Sequence, residues 1–223
     1  MAAEAWLAQL AEVGVGGAAH HPLFPPSASD RWLTCTASPQ PIERGCQGND
    51  ANVFSAEGSL AHLVFTDMIE NRREHPKFPL GSKHTVDGFE FTINQTMIDH
   101  LDWCLDIIHE LGDGVGMSER RVGFDAGFDD AGVPMTRIEG TADIIFQPDN
   151  DPTVLHVADL KYGKGVRVFA KDNSQMRLYA LGVLAEYVPV LFDSIIWVHL
   201  HVLQPRLNHH DVWRVSVQDL LAW

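Results

Sequence analysis

Apolar positions recur at a helical period over Ser55 to about Asn71, where Leu60, Ala61, Val64, Phe65, Met68 and Ile69 form one face. Ser55 is the expected N-cap, and Glu57 falls in the first turn, where its charge suits the helix dipole. Residues 75–93 are irregular and end in a short hairpin about Asp87-Gly88. A second amphipathic helix is predicted from about Asn94 to Leu111, stopped by Gly112. The pattern then becomes β-rich in SERRVGF, TRIEGTADIIF and TVLHVADLKY, with turn residues between the runs. Asp172 or Asn173 caps a further helix with apolar Met176, Tyr179, Ala180, Val183, Leu184 and Tyr187. Two final strands, SIIWVHLHVLQ and VWRVSV, enclose the polar turn RLNHHD, and QDLLAW enters another helix.

Helices, three strands, a helix and two strands, in that order, define an α/β (α+β) domain with a mixed central sheet flanked by helices. A strand–helix–strand crossover demands one parallel pair. Ahead of it, MAAEAWLAQLAEV has the spacing of a short amphipathic helix, and GVGGAAHHPLFPPSASD reads as a linker. We therefore expect an N-terminal helix and linker over 1–26 and a single domain over 27–223. SASDRWLTCTAS is predicted to form a short helical turn capped by Ser27 or Ser29, with Trp32 and Leu33 packing inward.

Composition leaves this picture in place: the 223 residues are 45% hydrophobic and 21% charged, ordinary for a water-soluble domain. No apolar run approaches the roughly 20 residues of a membrane span, and acidic Glu4 sits where a signal peptide would be basic. Three scattered cysteines, Cys35, Cys46 and Cys104, speak for a reducing, cytoplasmic setting and exclude a CxxC zinc ribbon. They are also too few for a four-cysteine iron–sulfur cluster, so none is expected from this chain. The net charge of −14 opposes nonspecific nucleic-acid binding. Local basic clusters qualify that: Arg72/Arg73, Arg120/Arg121 and the series Lys161, Lys164, Arg167, Lys171.

The strand pattern is broken by charge. Asp143 and Asp159 stand where buried strands should be apolar, and Lys161 shares a strand face with Asp159, Leu155 and Val157. Burying an unpaired carboxylate costs several kcal/mol, so such groups pair, shift their pKa or hold a metal. If the QPDNDP loop turns about Asn150-Asp151, position 143 falls opposite 158 and Asp143 lies beside Asp159. Two carboxylates converging at a strand end suit Mg²⁺ or Mn²⁺, which keep waters and complete their shells with substrate phosphate. The other reading of the triplet is a salt bridge between Lys161 and one aspartate. Gln175 and Tyr179, four apart, share a helical face toward the sheet; His62 edges the apolar arc of its helix, and Glu57 projects into that arc.

Taken in order, Gly58-x-x-x-His62, Gly140-Thr-Ala-Asp143, Asp159-Leu-Lys161 and Gln175-x-x-x-Tyr179 resemble the RecB-like branch of the PD-(D/E)XK nucleases. SASDRWLTCTAS is similar to the opening S-x-S-x-x-x-R-W-L-x-C-P-x-S of a phage-borne exonuclease-type group, with Thr36 in place of proline. The resemblance covers about residues 27–206 and implies a restriction-endonuclease-like core. It implies that His62, Asp143, Asp159 and the backbone carbonyl of Leu160 ligate Mg²⁺ or Mn²⁺, with Glu57 on a second or outer-shell ion. Asp159 stands where Glu is commoner. Lys161 would position water or stabilise the transition state, and Gln175 and Tyr179 would shape the site or touch substrate. The basic residues Lys164, Arg167, Lys171 and Arg177 are candidates for the phosphate backbone. Relatives often carry a cysteine-rich C-terminal segment, whereas this sequence stops at QDLLAW, as a shorter version or a truncated one.

The expected activity is metal-dependent hydrolysis of DNA, by an exonuclease on duplex ends in phage replication or recombination, in the host cytoplasm. Expected partners are duplex ends or single strands, a single-strand annealing or binding protein, and further copies of the chain; no membrane is expected. The alternative is a nuclease-fold DNA-binding or assembly subunit that does not cleave. A third reading takes His199, His201, His209 and His210 as zinc ligands of an unrelated metallohydrolase, since His199 and His201 share a strand face.

Overall fold

The computed structural model describes residues 24–35, 52–71, 76–128, 132, 134–188 and 195–223. The expected N-terminal helix, most of the linker, Cys46 and Arg72/Arg73 lie outside these residues.

A 3₁₀ turn, Pro26–Ala28, leads into α1 (Ser29–Thr34). Neither Ser27 nor Ser29 caps it: Ser29 is buried and its hydroxyl lies 2.6 Å from that of Ser174. Trp32 packs edge-on against Phe24 and donates its indole N–H to Pro25 O, while Leu33, expected inside, is 50% exposed. Helix α2 (Val53–Asn71) begins earlier than its periodicity indicates. The cap is Asn52, whose Oδ1 accepts from the amides of Phe54 and Ser55, while Ser55 Oγ accepts from the Asn52 amide. This reciprocal pair satisfies donors that a Ser55 cap would leave exposed.

Strands β1 (Lys83–Val86) and β2 (Phe89–Thr92) form the hairpin marked by Asp87-Gly88, both with positive φ (50° and 84°) as a type I′ turn requires. Helix α3 (Gln95–His109) is capped by Asn94, whose Oδ1 accepts from the Met97 amide. The main sheet follows: β3 (Gly114–Phe128), β4 (Pro134–Pro148), β5 (Val154–Leu160), then α4 (Ser174–Glu186), β6 (Trp197–Gln204), β7 (His209–Ser216) and α5 (Val217–Ala222). Its order is β3-β4-β5-β6-β7, antiparallel throughout except for the parallel pair β5–β6 bridged by α4. The fold is thus mixed α+β, with a five-stranded mixed sheet flanked by helices.

Strand β5 is buried at all seven positions because both of its faces are covered. Leu155 and Val157 face α4, packing with Met176, Tyr179, Ala180 and Val183. Ala158 and Leu160 face α2 and α3, packing with Leu60, Val64, Leu101 and Cys104. Helix α4 approaches β3 closely at Gly182, where an added Cβ would lie 2.9 Å from the Gly123 amide nitrogen. Among the described residues, no helix is long and apolar enough to cross a membrane.

Candidate active site

The β4–β5 register differs from the expected one by one residue. Ile144 pairs with Ala158 and Ile145 with Val157, so position 143 falls opposite 159, not 158. The loop is centred on Asp151, whose carboxylate accepts from the Thr153 amide and hydroxyl, half a residue beyond the expected centre between Asn150 and Asp151. The shift brings the two aspartates together on one face. Across β3–β4, Glu119 lies between the pairs Ser118–Ile144 and Arg120–Ala142, hence beside Asp143. Its φ of +48° is left-handed, a conformation costing a non-glycine residue about 1–2 kcal/mol.

Two linked networks result. In the first, His62 Nδ1 of α2 lies 3.3 Å from Asp143 Oδ1 and 3.5 Å from Glu119 Oε1. Burial alone would lower the His62 pKa, but hydrogen bonds to Asp143 and Glu119 and their charges outweigh it and raise it to about 10. The other Asp143 oxygen accepts the Leu160 amide at 2.6 Å, tying β4 to the end of β5.

In the second network, Asp159 is 2% exposed and meets the Lys161 ammonium, 2.8 Å from Oδ2. The Gln175 side chain completes it, donating Nε2–H to Asp159 Oδ1 at 3.0 Å and accepting from Lys161 Nζ at 3.0 Å. Gln175 also lies 3.1 Å from the Tyr179 hydroxyl. The Lys161–Asp159 ion pair is real, but Lys161 meets Oδ2 off the hydrogen-bonding line, leaving that buried oxygen without an aligned donor. Burial pushes the Asp159 carboxyl above its usual range; Lys161 opposes this and the Asp143 carboxylate adds to it. Gly140 gives Tyr179 its place, since a Cβ there would lie 3.0 Å from the ring and 2.9 Å from Pro26.

A divalent cation fits this arrangement. His62, Glu119 and Asp143 each offer a ligand atom within 4.8 Å of the others. Asp159, expected among the ligands, is not a member of this group: its carboxylate is engaged by Lys161 and Gln175. Beside these residues an open groove of about 790 Å³ runs along α2, lined by Gly58, Ser59, His62, Thr66, Lys77 and Glu119.

The remaining predicted residues are placed as follows. Glu57 is bonded by Arg206 Nη1 at 2.5 Å, and that guanidinium lies over the Tyr162 ring, so Glu57 is not joined to the His62 group. Lys164, Arg167 and Lys171 are exposed on the segment between β5 and α4. That segment is pinned by Gln204, Asp211 and His209, which bond the backbone at Val166, Val168 and Ala170. Arg177 is not brought to the site: it pairs with Asp172 and lies 4.8 Å from the rings of both Trp213 and Trp223. Glu119 is the member that pattern reading misses. SERRVGF presents it as one polar residue on an exposed strand face, and only its backbone geometry carries it to His62.

The mixed sheet thus sets a buried acid, with a half-buried lysine and glutamine, beside a histidine–carboxylate group. The chain belongs to the DUF2800 family, described as a protein of unknown function, whose profile matches residues 21–223. A solved structure described as "Crystal structure of SSO0001" aligns at 15% identity with a TM-score of 0.30, over 53% of this chain and 48% of that one. The chain spans about half the length of that structure, and a likeness of this extent carries no argument.

Proposed function

We propose that this chain is a metal-dependent DNA nuclease with a PD-(D/E)XK core of the RecB-like kind, acting as an exonuclease on duplex ends in phage replication or recombination. The observation that carries the proposal is the buried Asp159, with half-buried Lys161 and Gln175 on it, set against the His62–Glu119–Asp143 group. The two buried carboxylates, Asp143 and Asp159, are costly side by side, a cost explained when a cation and a phosphodiester belong beside them.

His62, Glu119 and Asp143 would hold the cation, which would have to displace the His62 proton to bind; Asp159 and the Leu160 carbonyl would complete the shell only if they moved toward it. Bound there, Mg²⁺ or Mn²⁺ supplies an acidified water and neutralises charge on a phosphoryl oxygen. Lys161 is fixed by Asp159 and Gln175, so it meets developing negative charge without reorganising. Tyr179 holds Gln175 in place. Glu57 stays with Arg206 as part of the site's surroundings rather than as a ligand. Lys164, Arg167 and Lys171 hold the phosphate backbone.

Incubation of the protein with linear and closed circular duplex DNA, in Mg²⁺, Mn²⁺ or EDTA, tests this reading. Degradation of linear DNA only, abolished by EDTA and by Lys161→Ala, is the expected result. Cutting of closed circles would replace the exonuclease by an endonuclease. DNA binding by a folded chain that cleaves under no condition would favour the assembly subunit.

A further inference from the structure

The sheet carries a second cluster of metal-ligating side chains, on the face opposite Asp159. His156 of β5 pairs directly with His199 of β6, and His201 follows two residues on, so all three imidazoles stand on one side. Their ligand nitrogens lie within 4.8 Å of one another. His156 is three residues from Asp159 along the strand, roughly 10 Å, with the sheet between the two clusters.

We propose that His156, His199 and His201 form a binding site for a divalent transition metal of the zinc class, independent of the acidic centre. Four observations support it. Three imidazole nitrogens without a carboxylate favour a borderline metal such as Zn²⁺ or Co²⁺ over Mg²⁺. His199 Nε2 is buried with no hydrogen-bond partner, an orphan that coordination would satisfy. His201 Nδ1 lies 3.1 Å from His210 Nε2 of β7, an outer contact that can hold its proton on Nδ1 and leave Nε2 free to coordinate. Burial lowers the pKa of all four imidazoles, keeping them in the neutral form. His209, by contrast, lies 3.0 Å from Val168 O, away from the set.

His156 Nδ1 and His201 Nε2 are 2.8 Å apart, the spacing of a shared proton. Two nitrogens at tetrahedral zinc distances stand roughly 3.3 Å apart, so coordination separates these rings by about half an ångström. The ion would then join β5 to β6 with three protein ligands and one open position.

The test is titration of EDTA-stripped Asp143→Asn protein with Co²⁺, which weakens the acidic centre and leaves the histidines native. The expected result is saturable binding of a single ion, with the intense visible bands of four-coordinate, nitrogen-rich cobalt, displaced by Zn²⁺. His199→Gln, at a half-buried position, should weaken binding by roughly tenfold or more. Absence of binding, or only the faint bands of six-coordinate cobalt, in folded Asp143→Asn protein with its histidines native overturns the proposal. Equal affinity in a folded His199→Gln protein also overturns it.

Discussion

Asp159 concentrates the chemistry at the residue scale. Its carboxylate is 2% exposed, shared by Lys161 and Gln175, and held above its normal pKa mainly by burial. Removing Lys161 leaves a buried carboxylate with one amide partner, so Lys161→Ala should cost about 3 kcal/mol of stability as well as activity; urea unfolding of metal-free protein measures it. His62 gives a pH test. Its folded pKa of about 10 lies above the usual 6.5. The charged pairing is therefore fully stabilising below about pH 6.5 and is lost as pH rises through about 10. In EDTA, His62→Gln should reduce stability by about 1–2 kcal/mol below about pH 6.5, and the deficit should shrink between about pH 6.5 and 10. A deficit that stays constant over this range would show that His62 does not carry charge there.

Two glycines at the scale of elements should respond with opposite signs. Gly140→Ala places a methyl 2.9 Å from Pro26 and 3.0 Å from Tyr179, and should destabilise by about 1–3 kcal/mol. Gly58 lies inside α2 with nothing within 4 Å of an added Cβ, so Gly58→Ala should stabilise by about 0.5–1 kcal/mol. Thermal melts of the two variants that moved in the same direction would contradict the packing described. These elements also show what the sequence makes legible. Helical periodicity located α2, α3 and α4, and Asp87-Gly88 located the hairpin, because each signal is local. Strand β3 begins well before SERRVGF, where Gly114 and Gly116 interrupt the alternation that marks a strand, while β4 exceeds TRIEGTADIIF by two residues at each end. Asp143, Asp159, Lys161 and Gln175 stood out as charge or amide on apolar faces. Glu119, the Glu57–Arg206 pair and His156 did not. Their partners are fixed by a positive φ, by a contact across 149 residues and by strand register, none of which is written locally.

The whole molecule carries a net charge of −14, so any DNA binding depends on a local field. Lys164, Arg167 and Lys171 supply it on a segment whose backbone is pinned by Gln204, Asp211 and His209. In EDTA, without cleavage, Lys164→Ala should weaken duplex binding similarly for all sequences. It should also reduce the slope of log K against log salt by about 0.9. Fluorescence anisotropy across a salt series measures this, and an unchanged slope would remove Lys164 from the interface. Asp143 joins the molecule's parts, since it meets His62 of α2, the Leu160 amide of β5 and, through the proposed cation, the substrate. The decisive measurement is the rate at which end-labelled linear duplex DNA is degraded in Mg²⁺ by the native chain and by Asp143→Ala. Loss of label that EDTA abolishes, slowed about 100-fold or more by Asp143→Ala, is the predicted result. Equal rates for the two proteins, or no cleavage by a folded native chain in either Mg²⁺ or Mn²⁺, would contradict it.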